Sequence, residues 1–250
     1  MMMTCGPRIA CGTYGVIYKA NISEQPVAVK EICLRRHSSV FENETFFAFK
    51  TKGMKHTIHA IKSFVQGSSG FLVMEYCDTD LMKLCNKLEY LTEEQVIPIF
   101  YQICKAIQEL HSSGIAHLDL KLENILLSQG NVKLCDFGSA AVIDSDGQVL
   151  IKERTGSPVY VAPEIKGKKR VTGKKCDIWS LGIILHLLLT GCFPSTQKVV
   201  YLSPAELTFE YTSGLSAPAR NLLKSLLEFD ATKRPTIESV LEHFWLSYSE

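Results

Sequence analysis

Charge of either sign in excess is missing from this sequence. Lys and Arg together number 27 and Asp and Glu 26, which leaves a net charge of +1 over 250 residues. Without a basic stripe or a polybasic segment, nothing supports a nucleic-acid interface or attraction to a membrane surface. Long apolar runs are missing too. The most apolar stretch, residues 178–193, holds Ser180, His186 and Thr190. It is shorter than a bilayer span and predicts a buried core helix. The start, Met1-Met2-Met3-Thr4-Cys5, lacks the charged head and apolar core of a signal peptide. Nine cysteines occur, odd in number and never at metal-ligand spacing. That pattern points to reduced thiols in a cytoplasmic or nuclear setting and argues against disulfides or a zinc cage. Repeats and low-complexity segments are absent. Hydrophobic residues make up 46% of the chain, enough to pack one large or two small domains.

Chemistry concentrates between residues 115 and 138. The run Ile115-Ala116-His117-Leu118-Asp119-Leu120-Lys121-Leu122-Glu123-Asn124 leads into two short apolar stretches, 125–127 and 132–134. Ser128-Gln129-Gly130-Asn131 between them predicts a hairpin. The hairpin brings Asp119, Lys121 and Asn124 close to Asp136 of Asp136-Phe137-Gly138. Two carboxylates, an amide and an ammonium then converge at the mouth of a small sheet. Asp136 and Asn124 offer hard oxygen ligands of the kind Mg²⁺ accepts beside waters and substrate phosphates. Asp119 can take a proton from an attacking hydroxyl, and Lys121 can neutralise charge on a moving phosphoryl group.

This stretch resembles the catalytic loop and magnesium-binding Asp-Phe-Gly of protein kinases, and Lys121, two residues after Asp119, resembles the serine/threonine branch. Upstream, Ala10-Cys11-Gly12-Thr13-Tyr14-Gly15-Val16-Ile17 forms a small-residue turn between alternating segments. Glycines there let backbone N–H groups approach phosphate oxygens. The turn resembles the kinase glycine-rich loop, with Ala10 in place of the first glycine, Gly12 and Gly15 as the other two, and Ile17 at the valine position. Val27-Ala28-Val29-Lys30 matches the strand whose lysine holds the ATP phosphates, with Ala28 lining the adenine pocket. A following helix, within residues 37–55, should carry a glutamate that pairs with Lys30. Glu44 suits this, since Phe41 and Phe47 lie three residues to either side on one face; Glu42 is the alternative. The resemblance makes Met74 the gatekeeper at the end of an apolar strand. It also assigns the backbone of Glu75 and Cys77 to adenine, Asp80 to the ribose and Leu126 to the nucleotide pocket.

Thr92-Glu93-Glu94-Gln95 is a capping box. Val96, Ile99, Ile103, Ile107 and Leu110 then repeat at helical intervals, predicting a helix over 93–112 with a kink at Pro98. Further on, the polar segment closing on Ala162-Pro163-Glu164 resembles the activation segment. Ser157 stands where a hydroxyl meets the catalytic Asp and Lys, and Arg234 matches the arginine that pairs with Glu164. The run from Asp177 resembles the start of the central helix, where Asp177 braces the catalytic loop. Leu118 replaces the arginine that binds an activation-loop phosphate, Glu153 sits near the usual phosphorylation position, and Ser195 stands where an aromatic is usual.

The resemblance covers roughly residues 6–247 with its motifs in order. It implies an α+β, two-lobed protein-kinase fold in one domain, 1–250, with little flanking sequence. An ATP-binding lobe would span 1–76 and a catalytic lobe 77–250. The implied activity is transfer of the γ-phosphoryl of ATP, with Mg²⁺, to Ser/Thr hydroxyls of a protein substrate. Asp80 and Glu123 imply a basic substrate context. The protein is expected to be a monomer that is active without loop phosphorylation. The alternative is a pseudokinase, a nucleotide-binding scaffold, for which Ala10, the helix after Lys30 and Leu118 speak. Cys135, beside Asp136, is either a reactive thiol or a buried structural one.

Overall fold

A computed structural model describes residues 3–12, 14–88, 91–151, 155–194 and 212–249. Its first part is a five-stranded antiparallel sheet of β1 (Met3–Cys11), β2 (Gly15–Ile22), β3 (Gln25–Cys33), β4 (Ala60–Gln66) and β5 (Ser69–Glu75). The strand order is β1-β2-β3-β5-β4. Strand β3 is central and buried on both faces, so its two-residue period divides it cleanly. Val27 and Val29 join Ala20, Ile22 and Val73 in an outer cluster. Ala28, Lys30 and Ile32 point the other way, and all three are buried. The strand's hydrophobic pattern therefore drives Lys30 into the interior.

Helix α1 (Leu34–Lys50) packs on that inner face through Phe41, Glu44, Phe47 and Ala48. Its first turn kinks at His37, where φ is −139° and ψ 34°. The link after α1 returns to the lower part of the molecule. Residues 56–58 bridge to Leu134 before β4 begins.

The second part is mainly helical. After β6 (Thr79–Asp80) come α2 (Leu81–Lys87) and α3 (Glu93–Ser112). Both halves of the predicted capping box on α3 are present, Gln95 N–H donating to Thr92 Oγ1 and Thr92 N–H to Gln95 Oε1. The helix runs uninterrupted through Pro98 instead of kinking. Then follow β7 (Ile115–Ala116), the predicted hairpin as β8 (Ile125–Ser128) and β9 (Asn131–Leu134), β10 (Ala141–Val142), β11 (Gln148–Leu150) and β12 (Arg170–Thr172). Strand β11 pairs with β12 and β10 with β7, so the chain after Asp136 is pinned to the body at two places.

Beyond its first turn, helix α4 (Gly173–Thr190) is buried on every side from Cys176 to Leu189, as a helix apolar all round must be. Among the described residues no helix is long and apolar enough to cross a membrane. Helix α4 starts at Gly173, four residues before the expected Asp177. A Cβ at Gly173 would stand 2.7 Å from Val149 Cγ1 and 2.8 Å from the Ala116 Cβ. Only a glycine lets the helix begin against β11 and β7, and Asp177 consequently lies a turn inside it. Helices α5 (Ala217–Leu226) and α6 (Ile237–Leu241) complete the lobe.

Candidate active site

Between the two parts lies a cleft of about 500 Å³, within the range of small-molecule pockets. Ala10, Gly12, Ile17, Ala28, Lys30, Met74, Glu75, Cys77, Asp80, Lys121, Asn124, Leu126 and Asp136 all line it. Gly15 does not. A Cβ there would collide with the Glu31 carbonyl, so Gly15 permits the close pairing of β2 on β3. Thr13 lies outside the described residues, whereas Tyr14 stacks edge-on with His37, 5.3 Å between ring centres, and ties the loop to α1.

At the back of the cleft Lys30 Nζ meets both oxygens of Glu44, at 2.7 and 2.8 Å, and Asp136 Oδ1 at 3.0 Å. Glu44 is 2% exposed and Lys30 4%, whereas Glu42 is at the surface. Burial opposes the charge on Lys30, but the two carboxylates outweigh it and hold the ammonium's pKa above its ordinary value. Burial likewise opposes ionisation of Asp136, and Lys30 reverses it, holding this carboxyl below its usual range.

At the front, Asp119 is held by three neighbours. Lys121 Nζ donates to Oδ2 at 2.9 Å, and Ser157 Oγ donates to Oδ1 at 2.8 Å. Asn124 Nδ2 donates to the Asp119 carbonyl at 2.8 Å, which leaves the Asn124 amide oxygen as its acceptor group. Lys121 also donates to Ser157 Oγ, at 3.0 Å. Partial burial works against the Lys121 charge, but Asp119 beside it raises the ammonium's pKa.

Two features adjust what the sequence implied. The Glu75 N–H already donates to the His59 carbonyl at 2.9 Å, so that group is not free for a ligand. Asp80 caps α2, accepting from Lys83 N–H at 2.8 Å and pairing with Lys83 Nζ at 3.0 Å, although it still borders the cleft.

Supporting contacts hold the loops. Asp177 accepts from the backbone N–H groups of His117 and Leu118, at 2.9 and 2.8 Å, and bonds His111 Nε2 at 2.8 Å. His117 Nδ1 accepts from Asp119 N–H, which makes Nε2 the protonated nitrogen that donates to the Cys135 carbonyl at 3.1 Å. Arg234 clamps Glu164 with two bonds, of 2.7 and 2.8 Å. Cys135 is half-buried, and burial pushes its thiol up, away from a reactive thiolate. Glu153, with Lys152 and Arg154, and Ser195 lie outside the described residues.

Sequence reasoning passed over Asn43 and His111. Asn43 Nδ2 lies within 3.1 Å of the carbonyls of Phe137, Gly138 and Ala140. The only local sign was an asparagine, a weak helix former, in mid-helix. His111 carried a sign too, standing on the apolar side of α3 beside Leu110.

Comparison with known proteins bears on this geometry. The protein kinase domain family matches residues 4–246. The chain is 33% identical over 250 residues to CBL-interacting serine/threonine-protein kinase 5 of Arabidopsis thaliana, covering 94% of this chain and 52% of that protein. It is 30% identical over 268 residues to serine/threonine-protein kinase 33 of Bos taurus, covering 98% and 55%. To serine/threonine-protein kinase ppk16 of Schizosaccharomyces pombe it is 39% identical over 178 residues, covering 69% and 26%. The chain thus spans about half the length of the first two and a quarter of the third.

Proposed function

The chain belongs to the protein kinase domain family, and on that premise we propose that it is a serine/threonine protein kinase transferring the γ-phosphoryl group of ATP to protein hydroxyls. The observation that carries the reading is the Ser157 hydroxyl, seated 2.8 Å from Asp119 Oδ1 and 3.0 Å from Lys121 Nζ. These two groups already hold an alcohol in the geometry that proton acceptance requires.

In this reading an incoming Ser or Thr hydroxyl takes the place of Ser157 Oγ and passes its proton to Asp119. Lys121 fixes the Asp119 carboxylate and neutralises charge that builds beside it. Lys30, aimed by Glu44, binds the α and β phosphates. Positioning and charge stabilisation then supply most of the rate. Asp136 and the Asn124 amide oxygen form an all-oxygen pair suited to Mg²⁺. The ion, when bound, would offset negative charge on the phosphates. Met74, Ala28 and Leu126 give the adenine an apolar slot. The loop from Ala10 to Ile17 covers the phosphates, and Cys77 and Asp80 border the base and ribose.

The lobe boundary falls at 76/77, just after β5. Asp80 and Glu123 at the rim favour basic residues before the target hydroxyl, because complementary charge confers specificity. Leu118, buried where a phosphate-binding cation would stand, supports activity without loop phosphorylation. The cysteines, free among the described residues, favour a cytoplasmic or nuclear setting.

The test is transfer of radiolabel from ATP to a generic basic protein and to a peptide array, with Asp136→Asn as control. Label on Ser and Thr peptides, richest where Arg or Lys precede the target, is the expected result. Label without that preference removes the substrate assignment. Mg–ATP binding with no transfer to any peptide overturns the kinase reading in favour of a nucleotide-binding scaffold.

A further inference from the structure

Asn43 lies half-buried in the middle of α1, next to Glu44. Its side-chain amide faces three carbonyls at once, Phe137 O at 3.1 Å and Gly138 O and Ala140 O at 3.0 Å each. Two amide hydrogens serve three acceptors, so at least one bond is shared. All three carbonyls belong to the tight turn that follows Asp136. Asp136 itself is held at φ 63°, a left-handed backbone that a non-glycine residue keeps only where its surroundings impose it. One turn before Asn43, Val40 sits flush against the same segment, since a Cβ on Gly138 would lie 3.2 Å from Val40 Cγ1.

The link that follows the helix is tied to β9, the strand that leads into Asp136. Past α1, His56 O accepts from Leu134 N–H and Ile58 N–H donates to Leu134 O, both at 2.8 Å. Leu134 stands two residues before Asp136. The segment that carries Asp136 is therefore bonded to the link after α1 before the carboxylate and to α1 itself after it. The circuit closes through Lys30, which bonds Glu44 and Asp136 together.

We propose that Asn43 is a positioning residue that fastens α1 to the turn after Asp136, so that the Lys30–Glu44 pair and the Asp136 carboxylate move as one unit. It touches neither nucleotide nor metal; it acts through Asp136. An outward swing of α1 breaks the three Asn43 bonds and draws Glu44 from Lys30 in the same motion. An isolated shift of the turn meets the same three bonds. The inference rests on the assignment of Asp136 to Mg²⁺ in the proposed kinase reaction.

Asn43→Asp tests it with almost no change in size, because it replaces a donor by a carboxylate aimed at three carbonyls. Asn43→Ala removes the group, and Glu42→Gln serves as the exposed neighbouring control. ADP affinity is measured in the full chain with Mg²⁺ and with EDTA, alongside thermal melting and hydrogen–deuterium exchange over 38–50 and 136–141. In Asn43→Asp the gain in ADP affinity conferred by Mg²⁺ should shrink by about tenfold, the equivalent of one or two net hydrogen bonds. Affinity in EDTA should stay near wild type, and the melting temperature should fall by no more than a few degrees. Exchange should rise in both segments together, and Asn43→Ala should show the same pattern more weakly.

An unchanged Mg²⁺ gain with unchanged exchange overturns the proposal. So does an equal loss of affinity with and without Mg²⁺ accompanied by a larger fall in melting temperature, which marks a merely structural amide. If Mg²⁺ gives the wild type no gain in ADP affinity, the metal assignment fails. The exchange data alone then decide the coupling: a joint rise supports it, and no change refutes it.

Discussion

The carbonyl oxygen of Leu118 faces Gly156 so closely that a Cβ there would stand 3.0 Å away. Both residues hold left-handed backbone, with φ 63° at Leu118 and 79° at Gly156. The loop carrying Asp119 and the segment carrying Ser157 thus meet back to back. A methyl at position 156 suffers from the positive φ and from the Leu118 carbonyl together. Gly156→Ala should cost about 1–2 kcal/mol, or roughly 2–8 °C in Tm for a domain of this size. It should also lower kcat by about tenfold, because pushing on the Leu118 carbonyl shifts the neighbouring Asp119. Wild-type kcat in the variant would show that this contact does not set the active geometry.

Leu118 is 4% exposed and packs into the main core, so at that position the catalytic loop presents no cation to a phosphate on the activation segment. Among the described residues, the segment is held by the β11–β12 pairing, the Asp144–Arg170 ion pair and the Arg234–Glu164 clamp. Protein treated with phosphatase, and verified as unmodified by intact mass, should keep most of its catalytic rate. A large loss on treatment, restored by phosphorylation at Thr155 or another hydroxyl of the segment, would show that a phosphate orders it after all.

Lys30→Met should reduce phosphotransfer by about 10²-fold or more, the scale on which a preorganised charge stabilises a transition state. The fold should survive. Burial already pushes Glu44 up to about 7, and once Lys30 is gone the carboxyl can take a proton. Glu44→Gln leaves the buried Lys30 with only Asp136, and breaking such a pair costs about 3 kcal/mol. Glu42→Gln, at the surface, should be silent in both melting and rate assays. Damage confined to Glu42→Gln would mean that α1 is rotated from the position described.

Four thiols around the upper lobe and cleft differ in setting. Cys11 and Cys33 are exposed, whereas burial pushes the Cys77 thiol up to about 12 and raises that of Cys135 as well. Only the thiolate attacks an alkylating agent. At pH 7.5 iodoacetamide should label Cys11 and Cys33 well before Cys77 and Cys135, as read by peptide mass spectrometry. The sign for stability follows. Unfolded Cys77 ionises near pH 9 and the folded thiol only near 12, so its contribution is whole below pH 9 and is lost as pH rises between those values. First labelling at Cys135 would make it a reactive thiol.

The features legible in the sequence are those with local causes. A capping box and a three-and-four repeat suffice to bound α3, because helix ends are satisfied by residues a turn away. A four-residue polar turn between two apolar runs suffices for the β8–β9 hairpin. The ordered motifs identify the two-lobed fold and place Lys30, Asp119, Asn124 and Asp136 on their elements. Other features depend on what lies across the molecule. Glu42 and Glu44 both sit on the same helix, and only the sheet packed against α1 decides that Glu44 faces inward. The early start of α4 depends on Val149 and Ala116 approaching Gly173, which no helix-start signal encodes. Asn43 finds its partners 94 to 97 residues further along the chain. Side-chain amides bond whatever carbonyls the fold brings near, so bonds of that span follow from tertiary packing alone.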